Sequence, residues 1–177
     1  HYEITKTCLE HDKNVFCEKP FTGNLQKAKE LYDLSDKNNV KLYVDDVFNY
    51  RREIKELQNS IDKKKDIKVI WNTLKSENYL NRLTWHDLYI LHPILNGELK
   101  VEWPKINNIT FNYDVSDKKY HEVDGINLTH NHGSNDALFD MIDELLYDTD
   151  SIDFQYNKDI TIQCETILEM IKDNING

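Results

Sequence analysis

Four stretches of this chain carry side chains able to move protons or hold charge. The first is Glu18-Lys19-Pro20, an acid, a base and a rigid ring directly after the apolar run Val15-Phe16-Cys17. A lysine that is desolvated or close to a second cation exchanges its proton nearer neutrality than a free one. The plain alternative is a surface Lys–Glu pair capping a strand. The second stretch is Asn49-Tyr50-Arg51, at the exit of another apolar run. Asn49 and Arg51 suit contact with a bound ligand or, equally, a salt-bridged hinge; Tyr50 suits packing. The third holds Arg82 and His86. An imidazole titrates near neutrality and serves as a proton shuttle, or else binds backbone near a helix start. Arg82 would lower its pKa, yet would also meet an anionic substrate. The fourth holds His130 and His132, which share a face if they lie on a strand. With His121 or Asp136 they approach a metal-ligand set, but no third ligand stands at a diagnostic spacing. The reading is a polar loop, and no metal is expected.

Positioning these groups is the task of the surrounding elements. Ile4, Cys8 and Leu9 recur at helical spacing, Asn14 to Cys17 is a short apolar strand, and Pro20, Thr22 and Gly23 form a turn. Leu25, Ala28, Leu31, Tyr32 and Leu34 mark an amphipathic helix running to Asn38-Asn39, and "VKLYVDD" is a second strand. Helix, strand, helix, strand with short links is the order of a parallel α/β sheet, and right-handed crossover puts Glu18 and Asp45 on one carboxyl edge. In open α/β sheets ligands bind at that edge.

The pattern then changes. Arg51 to Gln58 reads as a short helix. Ile67, Val69, Trp71 and Thr73 alternate, as do Ile109, Phe111, Tyr113 and Val115, so both runs read as half-buried strands. Residues 119 to 131 are expected to pair back through a turn at Ser116-Asp117. Trp85, Leu88, His92 and Leu95 share a helical face, with Pro93 ending or kinking the helix and His92 filling the buried side. Ser134 is expected to cap a helix reaching Tyr147, and Asp159 to cap a last helix bearing Ile160, Cys164, Ile167 and Ile171.

Composition narrows the function classes. The chain has 177 residues, 39% hydrophobic and 31% charged, enough for a packed core. Net charge is −10, and the one basic run, Lys63 to Lys65, suits a solvated loop, so no nucleic-acid partner is expected. No apolar run approaches membrane-spanning length, so no membrane partner is expected either. Cys8, Cys17 and Cys164 lack CxxC spacing and read as buried reduced thiols, which fits a cytoplasmic protein.

These residues together resemble the Gfo/Idh/MocA oxidoreductases, named for glucose–fructose oxidoreductase and inositol dehydrogenase, which use NAD or NADP. The likeness rests on His1 opening a helix, Glu18-Lys19-Pro20 ending a strand, a helix over 24–39, a strand over 40–44, and Asn49-Tyr50-Arg51. "TWHDLYILHPILNG" is similar to the family's histidine-bearing helix, and "ALFDMIDELL" and "ITIQCETILEMI" to its closing helices. The resemblance implies that Lys19 sits by the substrate hydroxyl and the nicotinamide, that Glu18 orients Lys19 or touches the cofactor ribose, and that Pro20 fixes the turn through a cis bond. It makes His86 the proton shuttle, Asn49 and Arg51 contacts for cofactor or substrate, and Arg82 a substrate contact. Two departures stand out. The chain has no GxGxxG, and Arg82 occupies the place of the aspartate the family usually has four residues before its histidine.

The expected fold is therefore an α/β remnant of a Rossmann domain followed by an α+β domain with a predominantly antiparallel sheet. Residues 1–58 would be the second half of the dinucleotide-binding domain, and 59–177 a substrate-binding and oligomerisation domain. The expected function is the C-terminal part of an NAD(P)-dependent oxidoreductase. It would transfer hydride between nicotinamide and a sugar, polyol or nucleotide-sugar hydroxyl or ketone, be inactive as these residues alone, and form a homo-oligomer. The alternative is a non-catalytic structural or dimerisation module with a degenerate active site.

Overall fold

The computed structural model describes residues 1–63, 65–74, 79–95, 97–129 and 136–176. The chain opens with α1 (Tyr2–Glu10), β1 (Val15–Cys17), α2 (Leu25–Asn38) and β2 (Leu42–Val44). β1 and β2 pair in parallel, Val15 opposite Leu42 and Cys17 opposite Val44. α2 begins where the Asn24 side chain accepts from Lys27 N at 2.9 Å. It ends at Asn39, whose left-handed backbone (φ 51°) suits an asparagine C-cap. Leu31 and Ala28 are fully buried beneath it. Val15 N donates to Lys41 O and Asp45 N to Cys17 O, so the peptide groups of Phe16 face the other edge of β1. Among the described residues no strand pairs with that edge, and the Phe16 side chain is 43% exposed.

A short turn of 3-10 helix (Val47–Tyr50) and α3 (Arg52–Ser60) lead to the second sheet. Its strands are β3 (Ile67–Thr73), β4 (Val101–Glu102), β5 (Lys105–Ile106), β6 (Ile109–Val115), β7 (Tyr120–Val123) and β8 (Ile126–Asn127). They lie in the order β4-β5-β6-β3-β7-β8, and only β3 and β6 run parallel. The expected architecture is thus present: a parallel α/β pair, then a mostly antiparallel mixed sheet. One pairing differs from expectation. β7 does not fold back on β6; the link through Ser116 crosses the end of β3, where Ser116 N donates to Thr73 O at 3.0 Å, and β7 pairs with β3 instead. Alternation specifies which face a strand buries, not its neighbour.

α4 (Tyr79–Leu91) lies against the sheet with Leu83, Trp85, Leu88 and Tyr89 buried, and α5 (Asp136–Tyr147) packs on the Val47–Tyr50 turn. α6 (Phe154–Asn176) touches both parts of the chain. Its N-cap is not Asp159. The helix starts earlier, at Phe154, and Asp153 Oδ1 accepts from Tyr156 N at 2.8 Å, leaving Asp159 inside the helix. The expected Ser134 cap, and His130 and His132, lie outside the described residues. Cys17 and Cys164 are buried free thiols, whereas Cys8 is only half-buried.

Asn157 of α6 makes a strand-like contact. Its side-chain oxygen accepts from Val44 N at 2.9 Å and its amide donates to Val44 O at 2.8 Å, so it occupies the free edge of β2. Glu165, also fully buried, accepts through Oε1 from Thr22 N (2.8 Å), Thr22 Oγ1 (2.9 Å) and Gly23 N (3.0 Å). These two side chains satisfy polar backbone that burial would otherwise strand.

Candidate active site

The site begins at the carboxyl end of β1. The Lys19–Pro20 bond is cis, Pro20 O is bonded to His1 Nδ1 at 3.0 Å, and the half-buried Lys19 turns toward α4. Its Nζ lies 2.5 Å from Nε2 of His86. An ammonium only donates, so Nε2 accepts and the ring proton sits on Nδ1. His86 stands in the middle of α4 rather than at its start, and its partner is this side chain, not backbone.

Burial lowers the pKa of Lys19, and Arg82 adds to the shift, while Asp45 and Glu18 oppose it. Burial also holds His86 well below the ordinary imidazole value, reinforced by the charges of Lys19, Arg82 and Arg51. His86 is therefore neutral, within a cationic cluster. Across the strand ends, burial pushes Asp45 up to about 6, with the Glu18 carboxylate adding to the shift. Asp46 also rises to about 6 through burial, while the Tyr43 hydroxyl, 2.5 Å from its Oδ1, holds it down.

The sheet supplies the floor. In register, Trp71 of β3 stands opposite Tyr113 of β6 on one side and His121 of β7 on the other. The three rings form a row facing α4. Asp87, next to His86 and fully buried, accepts from Tyr113 Oη at 2.7 Å and bonds His121 Nε2 at 2.8 Å. The His121 ring stacks on Trp71, centroids 3.8 Å apart, and Phe48 packs on His86 at 4.2 Å. Two residues along β3, the Thr73 hydroxyl accepts from Arg82 Nη2 at 2.9 Å.

The structure thus brings Lys19, His86 and Arg82 together beside Phe48. Glu18 and Arg51 line a neighbouring cleft of about 490 Å3 that includes Asp45 and the first turn of α5. Arg51 also bonds Glu53 and donates to Leu128 O at 3.1 Å. Pro20 and Asn49 are not among the described residues lining that cleft, and Asn49 Oδ1 accepts from Gln58 Nε2 at 3.0 Å. Among the described residues no cluster of three or more His, Cys, Asp or Glu is placed to hold a metal ion. The sequence reading missed Asp87, His121, Tyr113 and Trp71 as one unit. Only the strand alternation hinted at it, by putting the rings on one face.

The model of the Gfo/Idh/MocA oxidoreductases, with their NAD-binding Rossmann fold, matches residues 1–46. Over those residues the chain is similar to the Gfo/Idh/MocA oxidoreductases. An uncharacterized oxidoreductase of Schizosaccharomyces pombe is 48% identical over 44 residues, 25% of this chain and 12% of that protein. The stretch matched is therefore a small part of its curated relative. Two solved structures extend the likeness in fold over nearly the whole chain. The WlbA dehydrogenase of Thermus thermophilus, crystallised with NAD and UDP-GlcNAcA, superposes with a TM-score of 0.69 at 13% identity, over 97% of this chain and 68% of its own. The dehydrogenase MviM of Clostridium difficile gives 0.70 at 18% identity, over 98% and 75%. Likeness at such identities is a statement about fold alone.

Proposed function

We propose that these residues form the nicotinamide-side catalytic edge and substrate-binding part of an NAD(P)-dependent oxidoreductase acting on a sugar, polyol or nucleotide sugar. The observation carrying this reading is the Lys19–His86 hydrogen bond at the carboxyl edge of a parallel strand pair. Lys19 donates to the substrate oxygen and holds negative charge there as the hydroxyl proton leaves. His86, whose Nε2 accepts from Lys19, receives a proton through that ammonium, which passes one of its own on as it takes the hydroxyl's. The hydroxyl carbon is oxidised to a carbonyl, and the chemistry a bound nicotinamide supplies is acceptance of the hydride.

The cleft of about 490 Å3 beside Glu18 and Arg51, at the carboxyl edge of the strand pair, would take the nicotinamide end of the cofactor. Pro20 would set the turn that presents Lys19, and Asn49 would steady the Val47–Tyr50 wall. The pyrophosphate is another matter, because the sequence has no GxGxxG to grip it. These 177 residues accordingly bind the whole dinucleotide weakly and do not turn over by themselves.

Nicotinamide mononucleotide, which needs no pyrophosphate grip, tests the reading. Added to the chain, it should shift the imidazole NMR signals of His86, and Lys19→Ala should abolish the response. Unmoved His86 signals would sink the catalytic assignment, and measurable NAD(P)-linked turnover would sink the claim of inactivity.

A second reading, a structural or dimerisation module, is favoured by the apolar face of α5, where Phe139 and Leu146 are each 66% exposed. It predicts a homo-oligomer by sedimentation and no response to the mononucleotide.

A further inference from the structure

Resting on that reading of Lys19 and His86, we propose that the cavity beside them selects a substrate alcohol carrying a carboxylate, such as a sugar acid. The cavity is about 200 Å3, room for roughly six or seven water volumes. Arg82, Thr73 and Lys119 line it, Arg51 and Phe48 form one wall, and His121 on Trp71 forms another.

Charge accounting points to the ligand. His121 is bonded to Asp87 and Arg51 to Glu53, so each already has a carboxylate partner. Arg82 differs. Its Nη2 donates to the neutral Thr73 hydroxyl, and among the described residues no carboxylate reaches it. Lys119 adds a second cation at the exposed rim. A half-buried guanidinium with spare donors, in a walled cavity, matches one planar carboxylate. Arg82 also bears electrostatically on both Lys19 and His86. An anion seated on Arg82 would offset that cationic field, so occupancy of the cavity and the basicity of His86 are coupled. A neutral polyol would leave the guanidinium desolvated and unpaired, a cost that discriminates against it.

The test uses the full 177-residue chain, with glucuronate, glucose and glucose 1-phosphate as probes followed by calorimetry and by the His86 imidazole signals. Glucuronate should bind about tenfold or more tightly than glucose, weaken with added salt, and raise the pKa of His86. Arg82→Gln should remove most of that preference, and the exposed-rim variant Lys119→Gln should weaken glucuronate by roughly two- to fivefold. Equal binding of glucose, or an unchanged preference in both variants, overturns the proposal. Preference for glucose 1-phosphate over glucuronate overturns the carboxylate assignment. Glucuronate binding in a chain that ignores nicotinamide mononucleotide supports the subsite while removing the oxidoreductase reading, so the two failures are distinct.

Discussion

The Lys19 ammonium nitrogen lies 2.5 Å from His86 Nε2, although 67 residues separate them in sequence. The first comes from the parallel strand pair, the second from the helix on the mixed sheet. The contact joins the two parts of the fold, and the Lys19 charge adds to the burial that holds the His86 pKa down.

His86 is depressed first by burial and then by the Lys19 cation. Replacing Lys19 with methionine keeps the stem and removes the charge. The His86 pKa, read from imidazole nitrogen shifts, should therefore rise, while staying below the free value because burial remains. A pKa that stays put or falls would show that the Lys19 charge does not act on the ring.

Asp45 behaves in the opposite sense. Its folded pKa is about 6, above the unfolded value of about 3.9. Between those values the folded state holds more protons than the unfolded one, so stability falls as pH rises through that window and stays lower above it. Asp45→Asn keeps an oxygen for Val47 N, which Asp45 Oδ1 accepts at 3.0 Å. It should raise the melting temperature at pH 7.5 by a few degrees, at about 2–4 °C per kcal/mol, with the gain shrinking toward pH 4. A gain independent of pH would rule out the titration as its source.

Glu165 holds the turn after Lys19-Pro20 through three hydrogen bonds to one oxygen. Bonds to a charged acceptor contribute roughly 1.5–3 kcal/mol each, and not additively. Glu165→Ala should cost on the order of 3 kcal/mol in urea unfolding, and Glu165→Gln less, because an oxygen remains. Equal losses in the two variants would mean that packing, not the acceptor, matters there.

Tyr113 and His121 share the buried Asp87 carboxylate. Tyr113→Phe removes one donor and should cost about 1–3 kcal/mol, whereas Asp87→Ala breaks the buried pair and should cost roughly 3–5 kcal/mol. Wild-type stability in Tyr113→Phe would contradict the shared arrangement.

Much of this was legible in the residues. Apolar runs ending in Glu18-Lys19-Pro20 and in Asp45-Asp46 announced a parallel pair, and alternation at Val69, Trp71 and Thr73 gave the buried face of β3. The Asp87–His121 contact was not legible, because it depends on β7 lying beside β3 rather than β6, and periodicity carries no information about neighbours. The start of α6 at Phe154 rests on contacts of the same kind: Asp153 caps Tyr156 N, and the Phe154 ring packs against Tyr43, centroids 6.0 Å apart.

Asn157 and Glu165 have a consequence for how the chain comes to be folded. The peptide groups of Val44 and the Thr22–Gly23 turn wait for partners 113 and 143 positions later. During synthesis at the ribosome, the early strand pair is left with unmet polar groups until α6 emerges. Contacts of such long sequence separation slow folding and prolong the exposure of sticky intermediates. The layer built on β1 and β2 is thus among the last to become permanent.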